Sequence, residues 1–389
     1  MAKIVLIDAS HTGHHISYAR TLMKCLKESG HTVVAVGTPL WLAAIRDIAD
    51  STISVTQIEY KLKSMSGEMA KIRFFRQSMA AAQAVSPDII HLLWLDHYLL
   101  AAACTLPRSK VQIRATLHWG YLLPEFSLTP FQKAKNRVER WLLGRFVRQG
   151  MNIMVHSVSL RKRLMATLDT ENVDFVPYPI EPMPAVDRKA AREFVEAKTG
   201  LSQGDRIILL FGDVRHYKGT DIAMEALRQL PSHYHLLVAG NPGDESSESM
   251  QALAKRLGME NRLHLQLHFI SDNEVPLYFT GSDIALIPYR KTFSGQSGPL
   301  VIAATLGVPV AAANLLVLAE TINKYELGTV FNPEDPADMA VALTTLQHYR
   351  TSRARTSFID DHNENRFLAS VQNSYSARSS ERRAAEAMS

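Results

Sequence analysis

Short apolar runs alternate with longer segments of helical periodicity throughout the chain. The first run, Lys3–Asp8, predicts a buried strand. It is followed by a turn that contains Gly13, a helix predicted over residues 16–28, and a second strand over residues 31–36. This order is one complete βαβ unit. Because the strands are apolar along their whole length, they predict a parallel sheet that helices cover on both faces.

The same alternation continues through both halves of the chain. In the first half it predicts helices over residues 40–48, 70–84, 97–106 and 130–149, and strands over residues 53–58, 88–94, 111–117 and 152–156. In the second half it predicts helices over residues 188–198, 220–228, 248–257, 273–280 and 299–306, and strands over residues 206–211, 234–239, 264–269, 284–287 and 308–312. The proline-rich segment PYPIEPMPAVD between the halves cannot join a regular element and predicts a hinge.

These elements predict an α/β protein with two doubly wound, Rossmann-like parallel-sheet domains that face a cleft. The predicted N-terminal domain covers residues 1–176, the hinge residues 177–187 and the C-terminal domain residues 188–350. Residues 351–389 are polar and predict either a closing helix or a loose tail. A length of 389 residues agrees with two cores. Ligands are expected where the parallel strands end.

Composition narrows the class of protein. Cys25 and Cys104 have apolar neighbours and no metal-ligand spacing, which is typical of core thiols in a cytoplasmic protein. The chain starts directly with a strand, without a signal-like leader, and no apolar run is long enough to cross a bilayer. His11, His14 and His15 have no carboxylate at a suitable spacing, so we expect solvated loop histidines and no metal site.

Positive charge is concentrated in the first half, where residues 1–176 hold 22 Lys and Arg against 13 Asp and Glu. One basic stretch comprises Lys61, Lys63, Lys71, Arg73 and Arg76. The other is a predicted helix that carries Lys133, Lys135, Arg137, Arg140, Arg145 and Arg148 beside Phe131, Val138, Trp141, Leu142, Leu143 and Phe146. Such a helix suits an anionic membrane surface, with the protein peripheral on its inner face, or a lipid-diphosphate acceptor. An ordinary helix with a solvated basic face fits the same pattern. Nucleic acid is not expected, because no binding motif accompanies the charge.

A small-residue loop, Ser294–Gly298, lies between an apolar strand and a helix in the second half. Glycines allow close backbone approach, and the amides that begin the next helix attract an anion such as a diphosphate. A tight strand-to-helix turn is the simpler interpretation of this loop taken alone. The segment FGDVRHYKG favours the first interpretation, because it places Arg215 and Lys218 after another strand of the same half. His118 also ends a strand, in ATLHWG, and is either structural or a group facing the cleft.

Most of the chain resembles the GT-B glycosyltransferases of family 4, or glycosyl transferase group 1. The resemblance is carried by FGDVRHYKGTDIAMEAL, HLLVAGNP, HFISDNEVPLYFTGSDIALIPYR and SGQSGPLVIAATLGVPVAAA, and by Glu320 with the following ELGTVFNPEDP. Within the family it is similar to the branch with PYR…QSG and R-x-Y-K-G motifs, met in polysaccharide and lipopolysaccharide assembly.

The resemblance implies that a nucleotide-sugar donor binds mainly to the second domain. Arg215 and Lys218 would balance the diphosphate, and Ser294, Gly295, Gln296, Ser297 and Gly298 would hold phosphate and sugar hydroxyls. The resemblance also implies that Gly13 lets the first domain approach the donor, that His118 lies beside the donor sugar, and that Glu320 sits at the tip of the next strand-to-helix loop. Two family glutamates are replaced by Ser294 and Ile302, and the usual arginine after the glycine is Asp213.

The implied activity is transfer of a hexosyl group, with retention of configuration, to a glycan or lipid-linked acceptor. No cofactor is implied, since the nucleotide-sugar is a substrate. Two alternatives remain: a noncatalytic partner that kept the GT-B fold, and a nucleotide-sugar epimerase. An epimerase would need acidic residues near the donor sugar, which the loop lacks. The missing glutamates favour a noncatalytic partner, whereas Arg215, Lys218 and the SGQSG loop favour an active transferase.

Overall fold

The computed structural model describes residues 1–10, 15–56, 65–105, 111–120, 123, 129–180, 183–349 and 352–387. The chain divides into two compact units. The first unit combines Met1–Pro179 with His362–Ser389, and the second is Ile180–Asp361. Each unit is built on one fully parallel sheet, which confirms the α/β class with two Rossmann-like domains.

Seven strands form the sheet of the first unit, in the order β3-β2-β1-β4-β5-β6-β7. They are β1 (Lys3–Asp8), β2 (Thr32–Gly37), β3 (Ser51–Ser54), β4 (Ile89–Leu92), β5 (Gln112–Leu117), β6 (Asn152–Val155) and β7 (Val173–Phe175). The connecting helices are α1 (His15–Glu28), α2 (Pro39–Ile45), α3 (Met65–Ala84), α4 (Leu99–Thr105), α5 (Pro130–Arg148) and α6 (Val158–Leu168). The strand order reverses between β1 and β4, which is the topological switch point of this sheet.

The structure adds α6 and β7 after the last strand predicted for the first half. Helix α6 is a regular element, because the side chain of Ser157 accepts a hydrogen bond from the amide of Leu160 and Asp169 ends the helix in a left-handed conformation. Strand β7 has only three residues, and such a short strand gives too little alternation to be recognised in the sequence.

The polar C-terminal segment forms two helices, α14 (Ser352–His362) and α15 (Glu364–Ala387). Phe367, Val371 and Tyr375 of α15 are buried in the core of the first unit. Arg114 of β5 is 1% exposed, donates a 2.7 Å hydrogen bond to Ser374 Oγ and a second one to the Ser374 carbonyl, and lies 4.3 Å from the Tyr375 ring centroid. A buried cation on the sheet therefore holds the last helix against the first unit.

Six strands form the sheet of the second unit, in the order β10-β9-β8-β11-β12-β13. They are β8 (Arg206–Phe211), β9 (Tyr234–Ala239), β10 (Leu263–Gln266), β11 (Ile284–Ile287), β12 (Val310–Ala313) and β13 (Gly328–Phe331). The helices are α7 (Arg188–Thr199), α8 (Thr220–Leu227), α9 (Ser247–Leu257), α10 (Val275–Gly281), α11 (Gly298–Leu306), α12 (Leu316–Tyr325) and α13 (Pro336–Thr345). Here the switch point lies between the adjacent strands β8 and β11.

Candidate active site

The two loops singled out in the second half of the sequence follow neighbouring strands. The loop that contains Arg215 and Lys218 follows β8, and the loop that contains Ser294–Gly298 follows β11. These strands pair in register, Ile284 with Ile208 and Ala285 with Leu209. Both loops therefore lie at the carboxyl edge of the sheet, at its switch point, where open α/β sheets bind ligands.

Lys218 is a buried cation at this edge. Its side chain reaches the last residue of β8, where Nζ donates a 2.9 Å hydrogen bond to the carbonyl oxygen of Phe211. The residue is 5% exposed. Burial lowers the pKa of Lys218 to about 8, and the nearby Asp213 carboxylate counteracts part of that effect. Gly212 lies beside it with φ +95°, a backbone conformation that favours glycine, and a Cβ there would lie 2.6 Å from Nζ. A charge kept in such a position costs stability, and buried cations of this kind are typical of anion-binding sites.

Arg215 lies close to Lys218 but in a different environment. About half of its side chain is exposed, and Nη2 donates to Asp213 Oδ2 at 3.1 Å. The positive charge of Arg215 contributes to the lowered pKa of Lys218, so the two cations are electrostatic neighbours. Asp213 is thus the counter-ion of Arg215, and an incoming anion would compete with it for the guanidinium.

The loops after β8 and β11 are joined by residues that sequence reasoning did not select. Arg290 donates from its amide to the Tyr217 carbonyl at 2.8 Å and from Nε to the His216 carbonyl at 2.9 Å. Its guanidinium also holds the Asp221 carboxylate at 2.6 Å. The ring of Tyr217 stacks on that of Phe293 with 5.6 Å between centroids. These contacts fix the position of Lys218 relative to the Ser/Gly loop.

A close backbone approach accompanies these contacts. Gly219 precedes α8 with φ +70°, and a Cβ on it would come within 2.2 Å of the Pro288 carbonyl. No side chain in the described part of the chain caps this helix, so its first amides are left for another acceptor. The hydroxyl of Thr220, the first residue of α8, is buried and has no hydrogen-bond partner among the described residues. The start of α8 therefore offers donors directly beside Lys218.

The Ser/Gly loop contains a second buried hydroxyl of this kind. Ser294 is 3% exposed, and its Oγ makes no hydrogen bond within the part of the chain that the structure describes. A buried hydroxyl without a partner costs about 1–3 kcal/mol, so its retention favours a role in ligand binding. Gly295 is buried, whereas Gln296 is half-buried.

Ser297 and Gly298 contribute differently from Ser294. The Ser297 hydroxyl caps α11 by accepting from the amide of Leu300 at 3.4 Å, and it lies 3.2 Å from the Tyr289 hydroxyl. Pro299 has no amide hydrogen to offer. A Cβ on Gly298 would meet no described atom within 4 Å, so the glycine leaves open space at the first turn of α11. The sequence predicted one helix start as the phosphate seat, and the structure indicates that α8 also offers donors.

Glu320 does not lie at the tip of a strand-to-helix loop, as the family resemblance had implied. The loop after β12 is only Asn314–Leu315, and α12 begins at Leu316, which places half-buried Glu320 in the middle of that helix. No element is predicted from the sequence between β12 and residue 350, so the structure adds α12, β13 and α13.

His118 follows β5 at the carboxyl edge of the first sheet and is 4% exposed. Its ring stacks on Trp94 with 3.4 Å between centroids, and its Nε2 lies 3.0 Å from the Leu93 carbonyl, to which it donates. The Asp96 carboxylate accepts from the amides of His118 and Trp119 at 2.9 and 3.1 Å. Burial raises the pKa of Asp96 to about 7. The imidazole of His118 is therefore held in one orientation, by contacts to the ring itself and by the hydrogen bond to the backbone amide of the residue.

His15 is not the solvated loop histidine that the sequence suggested. Its Nδ1 lies 2.9 Å from Asp8 Oδ2, a carboxylate with no exposed side-chain surface, and its ring stacks on Trp94 at 3.8 Å. Trp94 thus lies between His15 and His118. Sequence spacing gives no signal for this stack, because its three rings come from α1, the end of β4 and the end of β5. Gly13, His11 and His14 lie outside the described residues.

Within the described parts of the chain, no group of three or more His, Cys, Asp or Glu side chains could hold a metal ion. The candidate donors for an anion are Lys218, Arg215, the first amides of α8 and the hydroxyls of Thr220 and Ser294.

Family models match both halves of the chain. The model described as "Glycosyltransferase Family 4" matches residues 17–182, and the model described as "Glycosyl transferases group 1" matches residues 191–358. The first match falls within the first unit apart from its last residues, and the second falls within the second unit.

Curated relatives and solved structures agree with these matches. The lipopolysaccharide glucosyltransferase WaaG of Escherichia coli strain K12 is 29% identical over 141 residues, which is 36% of this chain and 36% of WaaG. The chain thus spans little more than a third of the length of that relative. Sucrose-phosphate synthase from Thermosynechococcus elongatus has a TM-score of 0.75 at 17% identity, covering 98% of this chain and 100% of that one. HepE from Anabaena, solved in complex with UDP-glucose, has a TM-score of 0.70 at 15% identity, covering 97% and 100%. These two structures show the fold alone.

Proposed function

Because the chain belongs to the GT-B glycosyltransferases of group 1 and family 4, we propose that it transfers a sugar from a nucleotide-diphosphate sugar to a glycan or lipid-linked acceptor. We propose further that the transfer retains the anomeric configuration and serves polysaccharide or lipopolysaccharide assembly. The observation that carries the proposal is Lys218, a buried cation at the switch point of the second sheet, beside the uncapped start of α8.

The comparisons support the class of donor and acceptor. WaaG is a lipopolysaccharide glucosyltransferase by name, and HepE was solved with UDP-glucose. A nucleotide-diphosphate sugar carries two phosphates, and the second unit offers two neighbouring cations to balance them. A ribose clamp is not evident, since Ile302 replaces the family glutamate with an apolar side chain. Because Ile302 cannot hydrogen-bond a ribose, we propose that the diphosphate supplies more of the donor affinity than the ribose does.

Charge development on the leaving group is the step that these residues assist. As the bond from the anomeric carbon to the diphosphate oxygen breaks, the diphosphate gains negative charge and the sugar becomes oxocarbenium-like. Lys218 and the first amides of α8 stabilise that charge, because they are already positioned and already desolvated. Arg215 joins them once its bond to Asp213 is exchanged for a bond to phosphate.

Ser294 and His118 are proposed to act on the sugar. The buried Ser294 hydroxyl has its hydrogen-bonding capacity left for a sugar or phosphate oxygen. His118 is fixed by Trp94 and Asp96 and is proposed to lie beside the donor sugar. We assign no side chain as general base, because no pair of carboxylates of the glycosidase type occurs in these loops.

The proposal is tested with UDP-, GDP- and ADP-sugars incubated with the protein, first alone and then with a lipid-linked glycan fraction. We expect one donor to release its nucleoside diphosphate slowly by hydrolysis and much faster with acceptor. The product should carry the sugar in the anomeric configuration of the donor, as read from the anomeric proton in NMR spectra. Lys218→Met should abolish both reactions, whereas Arg228→Met, at an exposed cation of the same unit, should leave them unchanged.

Two results would redirect the account. The inverted anomer would contradict retention while leaving transfer intact. Tight binding of a nucleotide-sugar with neither hydrolysis nor transfer would favour the noncatalytic partner, an alternative suggested by Ser294 and Ile302 at the positions of the family glutamates.

A further inference from the structure

Helix α5 has one face in the core and one face in solvent, and the solvent face is unusual in composition. Its inner face is formed by Asn136, Glu139, Leu142, Leu143, Phe146 and Val147. Its outer face carries three large apolar side chains: Phe131 is 77% exposed, Val138 52% and Trp141 59%. An exposed tryptophan and phenylalanine on one helix are not explained by packing within the unit.

The three apolar side chains lie on one side of the helix. Val138 and Trp141 follow Phe131 by seven and ten residues, and these spacings return to the same face of an α-helix. Exposed cations flank this stripe: Lys133, Lys135, Arg137, Arg145 and Arg148. The only acidic residue of α5, Glu139, is 3% exposed and faces inward, where burial raises its pKa. The outer face of α5 is thus apolar and cationic, and the one counter-charge on the helix is Glu139, which pairs with Lys135 at 3.1 Å.

The helix does not depend on a partner for its structure. Pro130 occupies its first turn, and Thr129 and Gln132 form a reciprocal capping box. Helix α3 lies nearby, since Glu139 interacts electrostatically with Lys71 of α3. Like α5, it carries a cation and an exposed apolar side chain, Met69. Among the described residues no helix is both long and apolar enough to cross a membrane. The features of α5 are those of a helix that lies in the plane of a bilayer surface.

We propose that the outer face of α5 docks the protein onto an anionic lipid bilayer. Phe131, Val138 and Trp141 enter the interface between headgroups and acyl chains, while Lys133, Arg137 and Arg145 contact lipid phosphates. This inference does not require that the protein be a transferase. If it is one, docking brings the first unit to the surface that holds a lipid-linked acceptor.

A vesicle co-sedimentation assay with the full chain can measure separately how the cations and the apolar side chains of α5 contribute to membrane binding. The wild-type protein should bind phosphatidylcholine vesicles containing phosphatidylglycerol and should bind pure phosphatidylcholine vesicles far more weakly. In the double variant Arg137→Gln/Arg145→Gln the partition coefficient should fall by about fivefold per cation and about 25-fold together. The control Lys24→Gln/Arg46→Gln removes the same charge from α1 and the end of α2, which the right-handed crossovers place on the other face of the first sheet. It should bind like the wild type.

The apolar contacts have their own signature. Phe131→Ala/Trp141→Ala should weaken binding at least tenfold. The remaining binding should be lost at high salt, because it depends on charge attraction and salt screens that attraction. Tryptophan emission should shift to shorter wavelength on vesicle binding, and Trp141→Phe should abolish that shift, because Trp41 and Trp94 are already buried and half-buried Trp119 packs against the core of the first unit.

Three results would overturn the proposal. One is that the wild type binds neutral and anionic vesicles equally and that the arginine variant binds both as the wild type does. The second is an equal loss in the Lys24/Arg46 control. The third is unchanged vesicle binding by the Phe131/Trp141 variant together with equally tight binding to a soluble polyanion, which would identify α5 as a site for polyanions rather than for membranes.

Discussion

Replacing Lys218 by Met separates the stability of the second unit from its ability to bind an anion. Methionine keeps most of the length of the side chain and removes the charge. In the folded protein Lys218 is 5% exposed and its pKa is lowered from 10.5 to about 8. Below pH 8 the folded protein therefore carries a buried charge that the unfolded chain exposes to water at no cost.

The lowered pKa gives the size of the effect. A shift from 10.5 to about 8 corresponds to about 3 kcal/mol at about 1.4 kcal/mol per unit. Loss of the hydrogen bond to the Phe211 carbonyl offsets about 1 kcal/mol of this gain. The variant should thus be about 2 kcal/mol more stable at pH 7, which raises the melting temperature of a domain of this size by about 4–8 °C.

The pH dependence follows from linkage. Between pH 8 and pH 10.5 the unfolded chain holds a proton on Lys218 that the folded protein has released, so the stability of the wild type rises with pH in this window. The variant lacks this rise. The variant's advantage should therefore be largest below pH 8 and should disappear near pH 10. Above about pH 10.5 the variant should be about 1 kcal/mol less stable, because only the lost hydrogen bond to Phe211 remains.

Binding should change in the opposite direction. A diphosphate pairs with the charged Lys218, and a charge-assisted hydrogen bond contributes about 1.5–3 kcal/mol, so the variant should bind a nucleoside diphosphate at least tenfold more weakly. Calorimetric melting across pH, with and without nucleotide, measures both effects. Lys189→Met, at a side chain that is 86% exposed, is the matched control and should change neither. A variant that melts below the wild type at pH 7 and binds nucleotide with unchanged affinity would refute the reasoning.

Two further predictions concern other buried polar groups. Arg114→Ala should lower the free energy of unfolding by about 3 kcal/mol or more and speed amide exchange in α15, because it removes the donor to the Ser374 hydroxyl and carbonyl and the ion pair with Asp174. Lys24→Ala removes only the exposed bridge to Glu364 and should cost less than about 1 kcal/mol; equal losses would contradict the assigned role of Arg114. Ser294→Ala should leave the free protein as stable as before or up to about 1 kcal/mol more stable, since the hydroxyl has no partner among the described residues. Its affinity for the nucleotide-sugar should fall about tenfold, and a loss of stability with unchanged affinity would contradict a binding role.

Apolar runs made the two sheets predictable. Strands such as β1, β8, β9 and β11 are long or uniformly apolar, and their predicted bounds agree with the structure. Strand β7, with three residues, and strand β13, with glycine and threonine, lack that pattern. For residues 351–389 the sequence does not distinguish a helix from a tail, because the docking of α15 depends on Arg114, a buried residue far away in the sequence.

The candidate site was predictable only where a local motif marks it. Lys218 and Ser294 lie in the loops that follow β8 and β11, so their placement at one sheet edge followed from the fold class. The contacts that position them come from Arg290, Tyr217 and Phe293, and their pairing depends on loop conformations that sequence spacing does not encode. For the same reason His15 was interpreted as solvated, although Asp8 and Trp94 enclose it in three dimensions.

The measurement that tests the central claim most directly is a thermal-shift titration with UDP, GDP, ADP and CMP, alone and as their common sugar conjugates. The account predicts that one nucleoside diphosphate raises the melting temperature progressively with concentration, as linkage requires, and that Lys218→Met removes this response while Lys189→Met retains it. If no nucleotide shifts the wild-type melting temperature, or if the shift persists in Lys218→Met, the second unit does not bind a donor diphosphate through Lys218, and the proposed transferase mechanism is contradicted.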